Sequence, residues 1–158
     1  MEQRFLAYLD LLSQLSGHLE RLTQLSQQKA EAVRRDDLLA LDEALKQEQV
    51  LTLALRGLEQ KRLSLLDQLG LKGVPLNELE RHYPDLLQLQ ARQVIDALQR
   101  SYQVYRSASQ AARNTLECSL HEIERIIAAS GVNPAEASAG YEAPGAEPPK
   151  NMKTDFRA

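Results

Sequence analysis

The chain has 158 residues, of which 43% are hydrophobic but only 4% aromatic, and its formal net charge is −3. Leu supplies 29 residues and Gln 15, against seven Gly and six Pro. A length of this order suits one compact domain, and a Leu-rich chain poor in Val and aromatics disfavours sandwiches and barrels.

Other classes fall on similar grounds. No apolar run approaches the roughly 18 residues of a membrane span. Glu2, Arg4 and Asp10 fall in the opening stretch, which shows no basic n-region followed by an apolar h-region, so no secretory signal is expected. Cys118 is the single cysteine, so no internal disulfide is possible, which fits a reducing compartment. Scattered charges and a sequence pI near 5.7 give no electrostatic footprint for nucleic acid. What remains is a soluble helical protein, expected in the cytoplasm.

Residues 3–33 read as one amphipathic helix. Phe5, Tyr8, Leu12, Leu15, Leu19 and Leu22 alternate steps of three and four, the spacing of a coiled-coil seam rather than a broad core face. The seam then meets Ser26 and Lys29 before Ala30 and Val33. Gly17 implies a close neighbour or simple tolerance ahead of a hinge. At Arg34-Arg35-Asp36-Asp37 the basic pair suits one helix's C-terminal end and an Asp suits the next helix's N-cap, so a tight hairpin is expected.

Leu38, Leu41, Leu45, Leu51, Leu55, Leu58, Leu65 and Leu69 carry a second helix to Gly70, which is placed as its C′ residue. Glu48 and Arg62 occupy positions where the three-four count wants apolar side chains. They either fix register or snorkel to water. A loop follows, residues 76–82 suggest a short helical turn with Asn77 as its cap, and a third helix opens at Tyr83 or Pro84.

In that helix Ile95, Leu98, Tyr102, Tyr105, Ser109 and Ala112 continue the strict spacing. A stutter then rotates the apolar stripe onto Leu116, Leu120, Ile123 and Ile127. Ser107–Ala112 contains no large apolar side chain, so packing should be weakest there. Gly131, Asn133 and Pro134 stop the helix. Residues 132–158 hold four of the six prolines and few large apolar residues, and are expected to form a flexible tail. The fold expected is all-α: an antiparallel hairpin plus a long third helix, a three-helix coiled-coil-like bundle over 1–131, with the tail at 132–158.

Chemistry is thinly supported. Cys118 and His121 stand at i, i+3 but lack the further ligands a zinc site needs. No His has Glu three residues before it, which excludes the Glu-x-x-His pattern of di-iron bundles. No Gly-rich phosphate loop or catalytic triad can be built. No cofactor, no metal and no enzymatic activity are expected. The positive feature is surplus apolar surface: the rotated stripe either completes a bundle core, or a homodimer, or offers a groove to an amphipathic helix.

The segment RRDDLLALDEAL (Arg34 to Leu45), the following KQEQVLTLALRGLEQKRLSLLDQLG (Lys46 to Gly70), the long last helix and Tyr141-Glu142-Ala143-Pro144-Gly145 together resemble the FlgN family of flagellar export chaperones. The resemblance implies a cytoplasmic type III export chaperone. Its partners would be the C-terminal helical segments of the hook–filament junction proteins, delivered to the cytosolic domain of the export gate, with no nucleic acid and no membrane insertion. It places client contacts on the last helix, at Leu116, Leu120, Ile123 and Ile127, and export-gate docking at Tyr141. The competing reading is a structural coiled-coil subunit or adaptor that homo-oligomerises through its seams.

Overall fold

The computed structural model describes residues 1–131; the expected tail at 132–158, with Tyr141, lies outside them. Helix α1 covers Glu2–Arg34, α2 covers Leu38–Gln68, a 3₁₀ helix covers Leu76–His82, and α3 covers Asp85–Ser130. The described residues contain helices and no strands, as the periodicities require. Residues Met1–Ser119 form one compact unit, and a second begins at Leu120.

Local chemistry explains the punctuation. Asp36 takes a left-handed conformation, φ 54°, which a short polar side chain tolerates. Asp37 then caps α2, its carboxylate accepting from the Ala40 amide at 3.0 Å. Gly70, at φ 70°, ends α2 where the αL conformation favours glycine. The 3₁₀ helix begins after Pro75 without a side-chain cap, so Asn77 does not cap it. Of the two boundaries open for the third helix, Pro84 is the one realised, its carbonyl accepting from the Leu87 amide at 2.8 Å.

α1 and α2 form the antiparallel hairpin, and α1 is the centre of the unit. Its seam residues are buried as the spacing requires, but Leu9, Leu11, Leu25 and Ala32 are buried too. The expectation of a narrow seam therefore fails for α1. The reason is position: α2 covers one flank and α3 another, so residues off the first seam also lose water. Phe5 meets Tyr83 with ring centroids 4.6 Å apart, and Ser26 and Ala30 lie beside Ala108 and Ala112 farther along. α3 consequently runs in the same sense as α1.

The charged residues in the seams are paired, whereas the Ser26 hydroxyl is buried with no hydrogen-bond partner among the described residues. Lys29 Nζ lies 2.7 Å from Glu48 Oε2, with both side chains largely shielded. Arg62 donates two hydrogen bonds to the Glu59 carboxylate, at 2.8 and 2.6 Å, and one to the Tyr8 hydroxyl at 3.3 Å. The Lys29–Glu48 and Arg62–Tyr8 links cross between α1 and α2 and suit one alignment of the pair, which favours the register reading over snorkelling. On α2 the count differs from expectation: Leu38 and Leu45 are exposed, while Ala44 and Leu66 are buried.

Gly17 has open space where a Cβ would stand, so tolerance is the correct reading. Gly17→Ala should therefore raise stability by about 1 kcal/mol through helix propensity, measured as a higher thermal midpoint. Tyr83 gives a second test. Its hydroxyl is buried with no hydrogen-bond partner among the described residues, so Tyr83→Phe should be neutral or stabilising by about 1 kcal/mol. Burial, with the neighbouring Tyr8 phenol adding, pushes the Tyr83 phenol well above its ordinary value of 10.0. The folded state thus favours the neutral phenol, and that contribution is complete below about pH 10 and lost as pH rises beyond it. Urea titrations at alkaline pH should show the Phe variant losing less stability than the parent chain.

Candidate functional site

Close backbone approach is concentrated between α1 and α2. α3 leans on α1 through side chains, and between α2 and α3 the unit stays open. The opening is a groove of about 760 Å³. Leu15 and Leu19 of α1 form its floor, Thr52, Leu55 and Arg56 line the α2 wall, and Leu98, Tyr102 and Tyr105 line the α3 wall. Val74-Pro75-Leu76, in the connection between the long helices, also contributes to the lining.

The groove is mainly apolar with a charged margin on α2. Arg62 and Glu59 neutralise each other there. The Glu59 hydrogen bonds are the main cause that holds the Arg62 guanidinium charged, and burial works against them. Burial also pushes the Tyr8 phenol above its ordinary value, despite the Arg62 hydrogen bond. Arg56, on the same wall, makes no ion pair among the described residues. Tyr102, predicted as a seam residue, is 53% exposed on the opposite wall.

The stripe chosen from the sequence lies elsewhere. Leu116 is partly buried and belongs to the first compact unit. Leu120 and Ile123 are 58% and 53% exposed, Ile127 is partly buried, and all three belong to the second unit. Ile126 is exposed as well. No residue of the stripe lines the groove. The groove itself was not readable from any one helix, because its walls come from residues some forty positions apart. The available signals were Tyr102 and Tyr105, apolar seam positions whose bulk does not fit a tight interior layer.

Cys118 and His121 are both exposed. Among the described residues no group of three metal-ligating side chains converges, and no helix is long and apolar enough to cross a membrane.

An all-helical scaffold with an open apolar groove and exposed apolar residues on its last turns is a protein-binding module by class. Comparison with known families is more specific: the model of the FlgN protein family matches residues 1–149. The chain belongs to the FlgN family, which are flagellar export chaperones. No curated protein and no solved structure matches it.

Proposed function

We propose that this protein is a cytoplasmic type III export chaperone for the hook–filament junction proteins. It binds their C-terminal helical segments through Leu116, Leu120, Ile123 and Ile127 of α3 and brings them to the export apparatus. Family membership supports the chaperone role, and the observation that carries the site is the exposed apolar surface of Leu120, Ile123 and Ile126. A free junction-protein terminus exposes an amphipathic helix that would otherwise associate prematurely, and the chaperone offers that helix a competing apolar surface. Each fully buried Leu or Ile contributes on the order of 1.5–3 kcal/mol. Four anchors therefore suffice for useful affinity after the costs of ordering.

Solution mass of the chain, alone and with a junction-protein C-terminal fragment, tests this reading. A monomer that becomes a one-to-one heterodimer is expected, whereas a constitutive oligomer indifferent to the fragment would establish the scaffold alternative. Tyr141 is assigned to docking on the cytosolic domain of the export gate. Deletion of residues 132–158 should leave fragment binding intact and impair secretion of the junction proteins; loss of fragment binding would place the tail in the client site instead.

A further inference from the structure

The groove between α2 and α3 shares no residue with the stripe assigned above. From its geometry and charge, we propose that it is a separate docking site for a short acidic amphipathic helix of a partner protein.

Shape sets the kind of occupant. The walls are two helices over the floor of a third, so an added helix completes a four-helix arrangement, whereas the described residues offer no sheet edge to an extended segment. The lined part of α2, Thr52 to Arg62, is about 15 Å long, and that of α3, Leu98 to Tyr105, about 10 Å. Those lengths match two to three helical turns, the span of apolar anchors at i, i+3 or i+4, and i+7.

Charge sets the sign. The lining carries Arg56, Arg62 and Glu59, and the Glu59 carboxylate is occupied by Arg62. Among the described residues Arg56 is left as the charge on the wall without an ion-pair partner, in a chain whose overall charge is −3. A carboxylate beside the partner's apolar stripe answers Arg56, whereas a lysine there would be repelled. Tyr102 and Tyr105 add aromatic faces with polar tips, a combination suited to an interface that is apolar below and wet at its rim.

The test uses the full chain with isotopically labelled tyrosine, whose rings report on Tyr8, Tyr83, Tyr102, Tyr105 and Tyr141. The probe is a synthetic helical peptide with Leu at i, i+3, i+4 and i+7 flanked by Glu; the control peptide has Lys in place of each Glu. The Glu peptide should shift the Tyr102 and Tyr105 signals and leave Tyr83 unmoved. The Lys peptide should bind about fivefold more weakly, as expected for a rim charge, and Arg56→Glu should invert the preference. Tyr102→Glu, at an exposed position, should weaken both peptides without unfolding the chain.

Equal affinity for the two peptides, or shifts confined to other tyrosines, would overturn the proposal. So would concentration-dependent shifts of Tyr102 and Tyr105 with a doubled mass and no peptide, because the occupant would then be a second copy. A chain with Leu120→Asp and Ile123→Asp should bind the Glu peptide unchanged, and loss of binding there also counts against a separate site. Failure of the parent chain to bind a junction-protein fragment, with peptide binding retained, would remove the proposed function and leave the groove assignment standing.

Discussion

A chain carrying Leu120→Asp together with Ile123→Asp is expected to lose co-purification with a junction-protein C-terminal fragment while keeping its helix content. Both side chains are more than half exposed, so no core contact is removed. The two lost anchors are worth about 3–6 kcal/mol together if fully buried in the complex, a fall in affinity of about 10²- to 10⁴-fold. Two carboxylates entering an apolar interface without partners would add to that loss. Asp is a weaker helix former than Leu or Ile, and the cost falls on the last turns of α3, where fraying is the most it should cause. Circular dichroism matching the parent with pull-down abolished is the expected pair of results. Unchanged pull-down would show that the client binds elsewhere.

The largest effect on stability is expected at Leu12. Its side chain has 0% exposure and sits in the hydrophobic cluster that joins α1 to Leu58, Leu79 and Ile95. Leu12→Ala keeps strong helix propensity, so it isolates packing. The loss should be about 2–5 kcal/mol, transfer and cavity together, read as a lower urea midpoint. Leu53→Ala, on the outer face of α2, is the control, because Leu53 is 66% exposed and its truncation should cost less than about 0.5 kcal/mol. Equal effects at the two positions would mean that the cluster around α1 does not carry the fold.

The helices, their order and most of their ends were legible in the sequence because local chemistry decides them. Asp37 caps, Gly70 adopts a positive φ, and each signal needs only its neighbours. The seam of α1 was legible for the same reason. What escaped depends on how helices meet. Leu9, Leu11 and Leu25 are buried because α1 has neighbours on two flanks, and a single helical repeat does not reveal how many partners it will have. Leu45 is exposed while Ala44 beside it is buried, a rotation of one residue that the leucines alone conceal. The paired roles of Lys29 with Glu48 and of Arg62 with Glu59 and Tyr8 became decidable only once the partners were placed. The groove required two walls drawn from opposite halves of the unit.

The common direction of α1 and α3 has a consequence for the order in which the molecule is made. The hairpin of α1 and α2 is a local structure closed by a short turn, whereas the contact of Phe5 with Tyr83 joins segments far apart in the chain. Local pairings form quickly and distant ones wait for long loops to close. During synthesis the hairpin can therefore assemble before α3 has been translated. At that stage the floor of the groove and one wall exist, and the other wall does not. The groove is complete only when Leu98–Tyr105 have emerged and docked on α1, so a nascent chain has no finished groove to offer a partner helix.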